Sequence, residues 1–448
     1  MHYLDLIVSS YRYPPARGIP SVCSAHPYVI EATLRHGLTF PGQTPVLIES
    51  TCNQVNQEGG YTGMTPPDFV AFVQDIAARV GFPRERILLG GDHLGPLPWA
   101  HLPPEQAMEK ARALVTAYVR AGYTKIHLDC SMPLGGEQDL PLEVIAERTA
   151  DLAQMAEAAR PEGTTLRYVV GSEVPPAGGA KGGRHSVEVT PTEEVEATLE
   201  AMERAFQARG LDRAWQHVVA IVVQPGVEFG NDFVHDYDPA AARGLAQFIE
   251  HVPGLVYEAH STDYQTGGAL RALVEDHFAI LKVGPALTFA FREAVFALAA
   301  IEEELGLPEP SCIRDVLEQV MVEHPDHWRK YYPGTPEEQR LARAFSFSDR
   351  VRYYWPDPRV QAALTRLLDN LSRRAIPLSL LSQYLPLEYR RVRAGHISPR
   401  PRDLILAHIE DVLENYRIAC MDTSGRVPAE PATLRRWKKP LERAAAIR

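Results

Sequence analysis

Eight short apolar runs constrain the fold of this chain more than any other feature; they lie at 19–23, 46–50, 87–91, 125–130, 167–171, 218–223, 255–259 and 279–283. Each is followed by a polar or glycine-containing turn and then by a stretch with helical spacing, clearest at 103–121, 142–159, 191–208 and 291–305. Runs rich in β-branched residues and apolar almost throughout are what strands buried on both faces look like, and helices between them imply parallel pairing. Eight such units predict an α/β fold, a closed (β/α)8 TIM barrel. An open doubly wound sheet is the alternative, but no G-x-G-x-x-G follows the first run.

The barrel is expected over residues 1–305. Beyond it the pattern changes to helix-forming segments broken by prolines, at 314–323, 336–344, 359–374 and 402–420, so 306–448 reads as a helical C-terminal region packed on the barrel. Within it the segment 346–355 is aromatic and basic enough for a ligand site or a subunit interface, and a purely structural role fits it equally well. The formal net charge of -11 argues against nucleic-acid or anionic-membrane partners and points to a small molecule. Five cysteines, Cys23, Cys52, Cys130, Cys312 and Cys420, form no C-x-x-C pair and suit a reducing compartment. With no secretory signal and no apolar run near the roughly 20 residues that span a bilayer, a cytoplasmic location is expected.

Polar residues fall where the runs end, and in this fold those C-terminal ends build the active site. The third run ends in Asp92-His93, the fourth in Asp129, the fifth in Glu173, the sixth in Gln224 and the seventh in His260, while the eighth carries Lys282. A carboxylate, two imidazoles and an amide at one mouth suit a divalent cation that accepts mixed nitrogen and oxygen ligands, Zn, Mn, Ni or Co. The expected ligands are His93, Glu173, Gln224 and His260. Asp92 is the first acid/base candidate, because adjacent strand-end residues diverge and only one of the Asp92-His93 pair faces the metal squarely. Asp129 is a second acid/base or the orienter of a histidine. Glu258 lies on the His260 side of its strand and reads as an inward structural partner; Cys23, Cys52 and Cys130 read as small buried residues. Asn53 and Gln54, in an amide-rich loop at 51–57, suit sugar hydroxyls, and the glycine-rich stretch 175–184 reads as a lid or binding loop.

Four segments carry a resemblance to a known family: Glu-Ser-Thr-Cys-Asn-Gln-Val-Asn-Gln at 49–57, Gly-Gly-Asp-His-Leu-Gly-Pro at 90–96, His-Leu-Asp-Cys-Ser-Met at 127–132 and Glu-Ala-His-Ser-Thr-Asp-Tyr-Gln at 258–265. They resemble the class II, metal-dependent fructose/tagatose-bisphosphate aldolases and, more closely, the GatZ/KbaZ type, and the likeness extends to 350–355 and 382–386. The resemblance implies one divalent metal and chemistry at a C3–C4 bond. In class II aldolases, turns after the seventh-strand histidine and after the eighth strand cradle a substrate phosphate with backbone N–H groups. Here Ser261-Thr262-Asp263 follows His260, Gly284-Pro285-Ala286-Leu287-Thr288 replaces the second turn, and Gln224 stands where those aldolases place a histidine. Asp263 would repel a phosphate. Only Lys181, Arg184, Lys282, Arg350 and Arg352 could grip one.

Members of this type are regarded as accessory subunits of the aldolase or as ketohexose 4-epimerases acting on free sugars. The resemblance therefore implies a metal-dependent epimerase interconverting D-fructose and D-tagatose by retro-aldol/aldol chemistry, with Asn53, Gln54, Lys181, Asp263, Lys282 and Arg350 around the sugar. The alternative is a D-tagatose-1,6-bisphosphate aldolase or its non-catalytic accessory subunit. Assembly is then either a homo-oligomer or a pairing with a class II aldolase chain. A kinase, as such sequences can be labelled, has no P-loop here.

Overall fold

The apolar runs become strands because each is covered on both sides, by helices outside and by other side chains inside. The computed structural model describes residues 2–12, 15–138, 140–171 and 187–421. Six strands come first: β1 (Ile19–Cys23), β2 (Val46–Thr51), β3 (Ile87–Leu94), β4 (Lys125–Leu128), β5 (Arg167–Val170) and β6 (Val218–Val222). A small antiparallel hairpin, β7 (Glu228–Phe229) and β8 (Val234–His235), precedes β9 (Val256–Ala259) and β10 (Phe278–Val283). Apart from the hairpin, the strands pair in parallel and close in the order β1-β2-β3-β4-β5-β6-β9-β10. The expected (β/α)8 barrel is present.

Helices α1 (Tyr3–Arg12), α2 (Pro27–Gly37), α3 (Pro66–Val80), α4 (Pro104–Arg120), α5 (Leu142–Ala159), α6 (Thr192–Ala208), α7 (Asp212–Trp215), α8 (Arg243–Ile249), α9 (Gly267–Glu275) and α10 (Pro285–Glu304) belong to the first part of the chain. The C-terminal part adds α11 (Ile313–Glu323), α12 (Pro336–Phe345), α13 (Pro358–Ser372), α14 (Leu378–Tyr384), α15 (Pro386–Arg393) and α16 (Pro401–Met421). Two placements matter for the site. Leu4 and Ile7 of α1 cluster with Ile19, Leu47, Val169, Val256 and Ile280, closing the floor of the barrel with apolar side chains. Helix α16 packs on β1 between α2 and α9, where a regular barrel sets the helix that follows its last strand, and α10 packs on α16 instead. One apolar cluster consequently runs from β1 and β9 through α10 into α13 and α16. Among the described residues no helix is long and apolar enough to cross a membrane.

Strand periodicity sorts the side chains. On β4, Ile126 and Leu128 join the cluster beneath the outer helices, so Lys125 and His127 point into the barrel. On β9, Tyr257 and Ala259 face outward, and Glu258 and His260 face in. Space inside is shared closely: a Cβ on Gly90 of β3 would lie 2.7 Å from the Glu49 side chain. Glycine at position 90 makes room for a buried carboxylate.

Candidate active site

Above the apolar floor lies a layer of buried charge. The Lys125 ammonium sits 2.7 Å from Glu49 Oε1 and 2.6 Å from Glu258 Oε2, and all three side chains are fully buried. Lys282 Nζ lies 2.6 Å from Glu49 Oε2, 2.7 Å from Asp92 Oδ1 and 3.5 Å from Glu258 Oε1. Burial alone would raise the carboxyl pKa values of Asp92 and Glu258, but the ammonium groups beside them hold both well below the usual range. Burial would likewise lower Lys282, and its carboxylate neighbours raise it well above its ordinary value.

Three imidazoles stand on this layer. The His93, His127 and His260 ring centroids lie 4.9, 4.8 and 5.4 Å apart pairwise. Each ring has one nitrogen engaged by a neighbouring oxygen. His93 Nδ1 pairs with Asp129 Oδ2 at 2.6 Å, His127 Nε2 donates to the Gly171 carbonyl at 2.9 Å, and His260 Nε2 pairs with Glu258 Oε1 at 2.9 Å. Such outer partners fix ring orientation and leave the other nitrogen of His93 and of His260 turned to the cluster, whereas His127 Nδ1 accepts from His93 N at 3.2 Å and lies 3.0 Å from Asp92 Oδ1. Burial pushes His260 down to about 3, keeping it neutral as a ligand must be. His93 is also opposed by burial, yet the charges of Asp92 and Asp129 raise it. Its backbone adopts the left-handed region at φ 47, one of three such non-glycine residues at this mouth with Ser261 and Tyr264.

One donor atom from each of Asp92, His93, His127 and His260 lies within 4.8 Å of the others. Four buried carboxylates, Glu49, Asp92, Asp129 and Glu258, face two ammonium groups, Lys125 and Lys282, and so leave two formal negative charges uncompensated. Mixed nitrogen and oxygen donors around a deficit of two charges fit a divalent cation of the zinc or manganese kind.

The cluster opens into a cavity of about 370 Å³. Asp92, His93, His260 and Lys282 form its floor, and Asn53, Gln54 and Asp263 contribute to its walls. Other expected residues fall elsewhere. Asp129 does not line the cavity: its Oδ1 accepts from Ser131 N and Oγ at 3.0 and 2.7 Å, and its Oδ2 holds His93, which is the orienting role. Gln224 also stays out. Its Oε1 accepts from Gly226 N at 2.8 Å and Val227 N at 3.0 Å, so the oxygen that would have met the metal caps the turn after β6. His127, to which sequence reasoning gave no ligand role, stands in the cluster in its place. The Arg350 guanidinium lies over the Tyr331 ring at 3.2 Å, and Arg352, two residues on, reaches the cavity with Tyr353 and Trp355. Glu173, Lys181 and Arg184, with the glycine-rich stretch 175–184, lie outside the described residues.

Asp263 is bound at the start of α10. Its Oδ1 accepts from Gly284 N at 3.0 Å and Ala286 N at 2.8 Å, the free N–H groups of that helix terminus. An internal carboxylate thus holds the position where a helix N-terminus would receive an external anion.

A family described as D-tagatose-1,6-bisphosphate aldolase subunit GatZ/KbaZ-like matches residues 4–421. The crystal structure of a probable tagatose 6 phosphate kinase from Sinorhizobium meliloti 1021 is 51% identical in sequence, covers 90% of this chain and 100% of its own, and superposes with a TM-score of 0.84. A fructuronate-tagaturonate epimerase from Cohnella laeviribosi, 13% identical over 89% of this chain and 81% of its own, gives a TM-score of 0.44. A putative fructose-1,6-biphosphate aldolase from Coccidioides immitis, 15% identical over 81% of this chain and 96% of its own, gives 0.40. With the family pattern matched over nearly its whole length, on a barrel of the expected kind, the chain belongs to the D-tagatose-1,6-bisphosphate aldolase subunit GatZ/KbaZ-like family.

Proposed function

We propose that this chain is a metal-dependent ketohexose 4-epimerase that interconverts free D-fructose and D-tagatose by retro-aldol cleavage and re-addition. The observation that carries the reading is Asp263, whose carboxylate already takes the two backbone N–H groups that begin α10. A sugar phosphate would have to displace a buried carboxylate there, whereas a free ketose has no charge to place. The chemistry agrees. The C4 hydrogen of a 2-ketose is not adjacent to the carbonyl, so enolisation cannot invert that carbon, and breaking the C3–C4 bond can.

His93, His127 and His260 are the residues that would hold the metal, with Asp92 beside them. A divalent cation bound there supplies Lewis-acid polarisation of the C2 carbonyl. Asp92, ionised and lining the cavity, accepts the C4 hydroxyl proton as the bond breaks. Asp129 keeps the His93 ring in register, and the Asn53 and Gln54 amides with Lys282 orient the sugar hydroxyls. The test is direct: purified protein with Mn2+, Ni2+ or Zn2+ is given D-fructose, and tagatose is sought by chromatography. No tagatose, or conversion indifferent to EDTA, defeats the reading. Cleavage of D-tagatose 1,6-bisphosphate in its place, or activity only in company with a co-purifying class II aldolase chain, would favour the aldolase or accessory-subunit alternative.

A further inference from the structure

Re-adding an aldehyde on its other face takes two proton-transfer groups, one on each side of C4. Asp92 at the end of β3 can serve one side. Asp129 cannot serve the other, since both of its oxygens are engaged behind His93. Asp263 is better placed. It follows β9, and in the closed order of eight strands β9 stands four steps from β3 in either direction, directly across the mouth. The residue is buried and lines the cavity. Both backbone hydrogen bonds go to Oδ1, so Oδ2 is the oxygen left for a ligand.

We propose that Asp263 is the second acid/base of this active site, exchanging the C4 hydroxyl proton on the face opposite Asp92; the proposal rests on the epimerase reading above. In the forward direction the C3–C4 bond breaks, its electron pair passes into the C2–C3 enediolate, and the C4 hydroxyl proton goes to Asp92. The aldehyde turns about its C4–C5 bond. C3 then attacks the other face of C4, the carbonyl π pair moves to oxygen, and Oδ2–H of Asp263 delivers the proton. Asp263 is left ionised and Asp92 protonated, and exchange with water restores both.

The surroundings of Asp263 suit this role. Burial raises Asp263 to about 6 in spite of its two amide bonds and the Arg352 charge. A carboxyl group raised this far is available as a proton donor near neutral pH. The other titratable groups facing Asp263 are Tyr264 of its own loop and Tyr416 of α16, both raised by burial and therefore neutral.

The experiment compares the metal-loaded wild type with Asp263→Asn, which keeps an Oδ1 acceptor but has no exchangeable acid proton, and with the smaller Asp263→Ser. Tagatose formation from D-fructose gives kcat and KM. Incorporation of 13C-glyceraldehyde into D-fructose reports cleavage and re-addition on the original face alone. The expected result is a fall in epimerisation kcat of roughly 10²–10⁴-fold, KM changed little and label exchange retained. Because the protonated form of Asp263 is the one that acts in this direction, wild-type kcat falls as pH rises through about 6; that alkaline limb disappears in both variants, and an infrared difference spectrum between wild type and Asp263→Asn shows a carboxylic acid titrating there. Asp263→Asn with more than about a tenth of the wild-type kcat overturns the proposal and leaves the epimerase reading standing. Equal loss of exchange and epimerisation also overturns it, making Asp263 a positioning residue. A wild type with neither activity overturns the functional reading itself.

Discussion

Lys125→Met probes the charge layer beneath the site. Lys125 is buried between Glu49 at 2.7 Å and Glu258 at 2.6 Å, so its removal leaves those two carboxylates with Lys282 alone. Breaking a buried ion pair from one side costs about 3–5 kcal/mol, because the stranded charge keeps its desolvation penalty. For 448 residues at about 2.1 cal/mol/K each, the unfolding entropy is roughly 0.9 kcal/mol/K, so the metal-free protein should melt about 3–5 °C lower. The charge deficit of the cluster meanwhile grows from two to three. Metal should therefore raise the melting temperature of the variant more than that of the parent. The assay is thermal unfolding of both proteins in EDTA and with saturating Mn2+. Adding Glu49→Gln to the variant should recover part of the loss, since removing both partners strands less charge. A metal-free Lys125→Met protein within about 1 kcal/mol of the parent, or a smaller metal-induced rise, would refute the charge argument.

Asp129→Asn should weaken metal binding about 10–100-fold, as loss of the partner behind a ligating imidazole does, measured by calorimetric titration of the metal-free protein. His408 on α16 is raised to about 10 by Glu293 of α10 and Glu388 of α15 against the effect of burial, so its contribution is full below the unfolded value near 6.5 and lost as pH climbs towards 10. His408→Gln should accordingly cost about 1–3 kcal/mol in urea denaturation at pH 6 and far less at pH 10. Ending the chain at residue 400 removes α16 with its buried Leu404, Ile405, Ile409 and Leu413, a loss on the order of 10 kcal/mol at about 1.5–3 kcal/mol each. That rivals the whole stability of a folded domain, and size-exclusion chromatography and circular dichroism should find no soluble, cooperatively folding product.

Burial on both faces made the barrel legible: the run expected at 218–223 is β6 (Val218–Val222), and the stretch expected at 142–159 is α5 (Leu142–Ala159). Helix α10 begins six residues before its expected start at 291, because residues 286–292 are buried all round and show no periodicity to read. Helix α1 and the position of α16 in the ring were hidden for another reason, since both depend on contacts between the two ends of the chain and the barrel. The last polar residues of the runs point to the mouth, and Asp92, His93, His260 and Lys282 line one cavity there. Gln224 stands outside that cavity, where a local turn offers two backbone N–H groups to its side-chain oxygen, as does Arg350, two positions from the arginine that reaches the cavity. The better signal was parity. Lys125 and His127 stand two apart in an otherwise apolar run, as do Glu258 and His260, and charge recurring every second residue in a doubly buried strand has only the barrel interior to face. Counting in twos from the strand ends places Lys125 and Glu258 on the same lumen, hence as partners, and sets His127 and His260 one step above them as the natural holders of a cation. The same count assigns Asp129 to the interior as well, and only the left-handed turn at His93, which brings that ring across to meet it, converts Asp129 from a candidate acid into a support.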